Sequence, residues 1–395
     1  MNAAGTVIVG GGLAAQRCAE TLRRRGYEES IRMVCAEPVP PYDRPPLSKA
    51  ALAGEVEQAA LSFRAPQWYR DNEVELLLGA AATRLDPAAR RLELEDRRDL
   101  PYDQLVIASG GAARQLSFLA GFANVHSLRT AADAARLRPL LQSRARLAIV
   151  GAGFIGQEVA ASARGLGCEV TVLEALPVPL APILGEKVGA WFGRIHREEG
   201  VRVVLGAAIV GARGGESVAE LELADGRRIE CDAVVVGVGT VPATAWLEGS
   251  GLDPRGVRTD TAGRSAVRDV YAAGDASIPF EPRYGEYERT EHWDAAAWQG
   301  AAVAKAITGK YPGTPPLPSF WSDQYGHRIQ YVGHARRADA VLIDGDPGSR
   351  EFEALFLRDG LPVAALTVDR PRSIPGLRKQ IDSGHARGPA EEVVA

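Results

Sequence analysis

The stretch LAIVGAGFIGQEVA, Leu147–Ala160, decides the fold. An apolar strand runs into Gly151-x-Gly153-x-x-Gly156 and on into a helix predicted over 154–166, which gathers backbone N–H groups at a helix start. VIVGGGLAA, Val7–Ala15, repeats the pattern with Gly10, Gly12 and Ala15 in the matching places and a helix predicted over 14–25. In each, the first glycine permits a tight turn, the second lets a pyrophosphate approach the backbone, and the third small residue allows close helix packing. One such turn alone also arises wherever a strand–helix junction packs tightly. Here each is followed by a strand ending in a carboxylate, Glu37 or Glu174, 22 or 18 residues past the third small residue, where it can accept hydrogen bonds from a ribose. Two dinucleotide sites are expected.

Outward from these turns the grammar is β-α-β twice: TVIVG, helix, IRMVCAE, and later LAIVG, helix, EVTVLEA. DQLVIASGG and CDAVVVGVGTVP are apolar strands that return the chain to glycine-rich turns, and DVYAAGDAS brings Asp275 directly after a strand end. YPGTPPLP, Tyr311–Pro318, has four prolines in eight residues and reads as a linker, because proline suits neither a helix interior nor a central strand. Beyond it QYVG, AVLID, EALFL and PVAALTV are spaced like antiparallel strands. The expected fold is α/β, two Rossmann-like dinucleotide-binding domains plus a small α+β C-terminal domain. Residues after about Gly384 are expected to fray.

Composition bounds the function. The 395 residues carry a net charge of −4 with 46% hydrophobic and 24% charged residues, a globular balance without the basic stripe of a nucleic-acid binder. Cys18, Cys35, Cys168 and Cys231 are far apart, with no C-x-x-C and no zinc spacing, so buried inert thiols and no metal are expected. The uncharged run Ala233–Leu247 is interrupted by Gly237, Gly239 and Pro242, too short and broken to span a bilayer. Without a basic-then-apolar leader at the N-terminus, a cytoplasmic location is expected.

Glu174 bears on nucleotide choice: a carboxylate suits the free 2′-hydroxyl of NADH and repels the 2′-phosphate of NADPH, and no arginine follows at Ala175, Leu176 or Pro177. PYDRPPLSK, Pro41–Lys49, is a proline-stiffened loop that carries Arg44 and Lys49 towards whatever the first unit binds. Lysine is scarce, five residues against 41 arginines, which singles Lys49 out.

Taken together, VIVGGGLAA, PYDRPPLSK, LVIASGG, VGAGFIGQEVA, VYAAGDAS, EHWDAAAWQG and FWSDQYG resemble the FAD-containing, NADH-dependent ferredoxin reductases of bacterial cytochrome P450 and ring-hydroxylating dioxygenase systems, the putidaredoxin reductase-like family. The resemblance runs in order from about residue 5 to about 380. It implies that Gly10, Gly12, Ala15 and Glu37 hold the ADP half of FAD. Arg44, Lys49, Ser109, Gly110, Asp275, Glu291, His292 and Trp293 would contact the rest, with the helix that starts at EHWDAAAWQG aiming its positive end at the flavin pyrimidine ring. Gly151, Gly153, Phe154, Ile155, Gly156, Glu174 and Gly239 would take NADH. Lys49 would lie by the flavin and pair with Glu158, and Trp321 would be the aromatic near the isoalloxazine. Where the family often has Thr, Ser109 keeps the hydroxyl.

The resemblance further implies a domain plan of 1–113 with 246–318 for FAD, 114–245 for NADH and 319–395 at the C-terminus. It implies electron flow from NADH through FAD to a [2Fe-2S] ferredoxin serving a terminal oxygenase. Arg328, Arg336, Arg337, Arg370, Arg372, Arg378 and Lys379 cluster in the last third and could dock an acidic ferredoxin. A reductase of a small acceptor such as monodehydroascorbate and an NADH-sensing flavoprotein remain alternatives. The missing cysteine pair argues against a disulfide reductase.

Overall fold

The structure is a computed structural model that describes residues 4–383; the expected fraying beyond Gly384 lies outside the described residues. The chain divides into two compact units. The first comprises Met1–Arg44, Ala59–Ala112 and Thr240–Pro318, and the second Pro45–Gln58, Ala113–Gly239 and Ser319–Ala395.

In the first unit a parallel sheet is ordered Val270–Ala272, Gln104–Ile107, Thr6–Val9, Ile31–Cys35, Val74–Leu78. Its central strand TVIV is buried on both faces, which is why it reads as a continuous apolar run and not as an alternation. The helix Leu13–Arg24 packs against Trp293–Ile307. Gly300 makes that approach possible: a Cβ there would stand 2.1 Å from the Ala14 carbonyl oxygen. Small sheets, among them the antiparallel one of Ala82–Asp86 with Arg91–Leu94 and Asp99–Pro101, complete the unit.

The second unit repeats the parallel plan, in the order Arg202–Leu205, Glu169–Glu174, Arg146–Val150, Ala233–Val236, Val125–His126. Its helix over the quoted stretch is Phe154–Gly165. The last part of the unit is an antiparallel sheet ordered Ser319–Gln324, His327–Gly333, Leu361–Val368, Glu351–Arg358, Ala340–Asp346, followed by the helix Ile374–Ser383. The four expected strands fall inside this sheet. Ser319–Gln324 was not among them, because its buried face carries Ser322 and Gln324 and so shows no apolar alternation. A core of Phe192, Trp191, Ile195, Tyr331, Phe352 and Leu366 joins the long helix Ala181–Glu198 to this sheet within the unit.

Candidate functional site

Each unit contains one glycine-rich turn, built to the same plan. Gly10 has φ +138° and Gly151 has φ +99°, and a Cβ at either would fall 2.0 Å from the Ala108 carbonyl oxygen or 2.5 Å from that of Gly237. Only glycine fits. The second glycines differ: a Cβ at Gly12 would meet nothing within 4 Å, and at Gly153 only the Gly237 oxygen at 3.8 Å. That open side is where a ligand backbone can approach. Ala15 is fully buried, and a Cβ at Gly156 would stand 2.3 Å from the Gly151 oxygen, so the third position is small for packing. Gly12 and Gly153 cap their helices without any side-chain hydrogen bond, leaving first-turn N–H groups for an anion.

Glu174 accepts from the Ala152 N–H at 2.7 Å and from the Leu176 N–H at 2.9 Å. Its carboxylate is thereby fixed against the turn with acceptor capacity to spare. In the first unit Glu37 accepts from the Tyr42 hydroxyl at 2.6 Å and from Arg44 at 2.7 Å, and the Arg44 guanidinium lies 5.3 Å from the Tyr42 ring centre. Gly110 is left-handed at φ +72°, and the buried Ser109 Oγ has no protein partner, a donor that a bound group can satisfy. Asp275 occupies the short turn Gly274–Ala276. Gln299 holds that turn, accepting from the Gly274 N–H at 2.7 Å and the Ser277 hydroxyl at 2.9 Å.

Arg289 braces the same turn from outside it. Its Nε donates to the Asp275 carbonyl at 3.0 Å, one Nη donates to Thr240 Oγ1 at 2.7 Å, and it ion-pairs with Glu291. Thr240 in turn donates to Glu291 at 2.7 Å. His292 caps the helix Trp293–Ile307, and Trp293 Nε1 donates to Asp43 at 2.8 Å. Sequence reasoning named Asp275, Glu291, His292 and Trp293; Arg289 and Gln299, which contact the same turn, and Thr240, which contacts Arg289, were not among the expected residues. No local pattern marks an arginine that works through a backbone carbonyl and distant side chains; Gln299, inside EHWDAAAWQG, and Thr240, inside CDAVVVGVGTVP, lay unremarked in quoted stretches.

Lys49 belongs to the second unit, in the segment Pro45–Gln58, and reaches Glu158 at 2.7 Å. Glu158 is 5% exposed, so it is a buried carboxylate and not a solvated helix residue. Its second oxygen contact comes from Ser48 at 2.5 Å, and its other oxygen accepts from Ser322 at 2.7 Å. Gln324 donates to Ser322 at 3.1 Å, and Ser162 donates to the Ser48 carbonyl at 2.7 Å. The buried carboxylate thus has an ammonium and two hydroxyls, the compensation a desolvated charge needs. Trp321 points to the opposite side of its strand from Ser322 by the period of two. The Arg328 guanidinium lies 5.1 Å from its ring centre and is held there by Asp323 at 2.9 Å.

Phe154 packs its ring on Phe320, 4.5 Å between centroids, and on Phe192, so its side chain serves the core; Ile155 is exposed. Gly239 is left-handed at φ +96°. Among the basic residues of the last third, Arg370 is paired with Asp344 at 2.9 Å and Arg378 donates to Ser319. Arg336, Arg372 and Lys379 are exposed; the Arg337 side chain lies outside the described residues. All four cysteines are buried and reduced, and burial pushes the Cys18 and Cys35 thiols up to about 12 and Cys231 up to about 11. Among the described residues no group of His, Cys, Asp or Glu is arranged to hold a metal, and no helix is long and apolar enough to cross a membrane.

Comparison with known proteins agrees with this geometry. Residues 5–300 match the pyridine nucleotide-disulphide oxidoreductase family, and 319–393 match the reductase C-terminal family. The chain is 38% identical, over 99% of its length and 97% of the relative, to the ferredoxin–NAD(+) reductase component of the anthranilate 1,2-dioxygenase system of Burkholderia cepacia. The reductase in a covalent putidaredoxin reductase–putidaredoxin complex superposes with a TM-score of 0.93 at 32% identity, covering 96% of this chain and 93% of that one. The ferredoxin reductase for the CYP199A2 system from Rhodopseudomonas palustris gives 0.93 at 31% identity, covering 97% and 96%.

Proposed function

From the premise that the chain belongs to the pyridine nucleotide-disulphide oxidoreductase family, we propose that it is an NADH:ferredoxin oxidoreductase, drawing electrons from NADH through FAD for a [2Fe-2S] ferredoxin that serves a cytochrome P450 or ring-hydroxylating dioxygenase. The observation that carries this reading is the pairing of two dinucleotide turns with four singly buried cysteines: electrons enter as in the family at large, but no dithiol is present to receive them. They leave to a partner.

FAD, once bound, supplies acceptance of a hydride and release of single electrons. The protein's part is binding and electrostatics. Gly10, Gly12, Ala15 and Glu37 would take its ADP half, and Ser109, Gly110 and the braced Asp275 turn the remainder. The turn Gly151–Gly156 with Glu174 would take NADH, the carboxylate accepting from the ribose. The Lys49–Glu158 pair would set the charge felt by the reacting ring. In this reading the first unit is the FAD-binding one, the second carries NADH binding and the C-terminal sheet, and the protein works in the cytoplasm.

Purified protein should be yellow and reduce cytochrome c with NADH only when a [2Fe-2S] ferredoxin is added. A high rate without ferredoxin would replace this reading with that of a small-acceptor reductase.

A further inference from the structure

A line of buried polar groups crosses the apolar core of the second unit. Tyr325 lies 2.6 Å from His196 Nδ1, His196 Nε2 lies 3.2 Å from Gln157 Oε1, and Gln157 Nε2 donates to the Ala152 carbonyl at 2.7 Å. His196 and Gln157 are 2% and 1% exposed, and Tyr325 packs against the apolar cluster that includes Phe192, Ile195 and Tyr331. Polar groups in such a place are costly unless every one is satisfied, so their hydrogens can be assigned by elimination. The Ala152 carbonyl only accepts, so the Gln157 amide nitrogen faces it. The amide oxygen then accepts from His196 Nε2–H, which leaves Nδ1 bare to accept from the Tyr325 hydroxyl.

The far end of the line is the nucleotide turn itself. A peptide is planar and trans, so its carbonyl and the following N–H point in opposite directions. With the Ala152 carbonyl held inward by Gln157, the Gly153 N–H is turned away from Gln157. At that same residue the turn is open, since a Cβ on Gly153 would meet only the Gly237 oxygen, at 3.8 Å. Glu174 fixes the other peptide group of Ala152 through its N–H at 2.7 Å.

The near end is placed at a cost. Tyr325 and Gly326 form the two-residue hairpin between Ser319–Gln324 and His327–Gly333, both left-handed, with φ +53° and +81°. Asn or Gly fills the first of these positions most readily, so a left-handed tyrosine there is strained. Its hydroxyl contact with His196 gives that placement a reason.

We propose that Tyr325, His196 and Gln157 are positioning residues through which the C-terminal sheet presents the Gly153 N–H to the pyrophosphate of the nicotinamide nucleotide. The C-terminal sheet therefore contributes to nucleotide affinity without touching the nucleotide. The inference rests on the turn Gly151–Gly156 being the nicotinamide nucleotide's site.

Binding to the FAD-loaded protein tests it, using NAD+, ADP-ribose and adenosine as probes. Gln157→Met and Tyr325→Phe should each weaken NAD+ and ADP-ribose about fivefold or more, while adenosine, which has no phosphate, changes less than twofold. FAD content and flavin spectrum should match the parent protein. Unchanged ADP-ribose affinity in both variants, or equal weakening of adenosine, overturns the proposal. If the parent protein binds neither NAD+ nor ADP-ribose, the reading of the turn fails first and the proposal falls with it.

Discussion

At the level of single residues, Glu158 concentrates more of the chemistry than its place on a helix suggests. Its carboxylate is held by Lys49, Ser48 and Ser322, which come from two separate stretches of the second unit. Glu158→Gln removes the charge that Lys49 faces, and NADH-to-ferricyanide turnover should drop tenfold or more with FAD retained. Ser322→Ala removes one hydroxyl donor of about 1 kcal/mol and should cost about fivefold, with Ser322→Thr close to the parent. Equal turnover in the parent and Glu158→Gln would mean that the pair is only structural. The Lys49–Glu158 pairing was legible in the sequence through resemblance. Ser48 lay unremarked inside a quoted motif, and Ser322 lay beside Trp321, because a serine's value depends on a carboxylate 164 positions away in the chain. His196 was invisible for the same reason: a lone histidine in an apolar helix gives no sign of what it meets.

At the level of elements, strand–turn–helix junctions were legible almost to the residue. Helices expected over 14–25 and 154–166 are Leu13–Arg24 and Phe154–Gly165. Glycine punctuation and apolar runs are local signals, and these junctions are local structures. The strand Ser319–Gln324 was not legible, since its inward residues are polar and their partners are distant. Nor could spacing say that Pro45–Gln58 joins the second unit. Helix pairing offers a direct check. Gly300→Ala would push a methyl group to 2.1 Å from the Ala14 oxygen, forcing apart the helices Leu13–Arg24 and Trp293–Ile307. Overpacking of this kind costs about 1–3 kcal/mol. Because Leu13–Arg24 begins at the first nucleotide turn, the variant should melt lower and release FAD faster, followed by flavin fluorescence. The neighbouring Ala301→Gly, tested alongside, should leave FAD release nearly unchanged.

For the molecule as a whole, acid stability follows from His196. Burial pulls its imidazole down to about 4 from the ordinary 6.5, so it is neutral in the folded protein. Below 6.5 the unfolded chain takes up a proton that the folded chain refuses until about 4. Folding stability contributed by this group is therefore complete above 6.5 and lost as pH falls towards 4, in all roughly 3 kcal/mol. The melting temperature of the parent should fall more between pH 7 and 5 than that of His196→Gln, and parallel curves would remove the assignment.

The partner surface also belongs to this scale. The basic residues of the last third are not equivalent: Arg328 is held by Asp323 over Trp321, and Arg370 is paired with Asp344, so their charges are partly answered within the protein. Arg372 and Lys379 are exposed and better placed to act on an acidic ferredoxin at a distance. Steering by such charges shows in the association rate and is screened over about 8–10 Å at ordinary salt. The double variant Arg372→Glu with Lys379→Glu should slow ferredoxin-dependent cytochrome c reduction about tenfold at low ionic strength. The deficit should shrink as salt is raised, and NADH-to-ferricyanide turnover should not change, because nothing at either nucleotide turn is altered. A deficit that persists at high salt would point to a lost contact in place of lost steering, and an unchanged low-salt rate would move the docking surface away from this part of the chain.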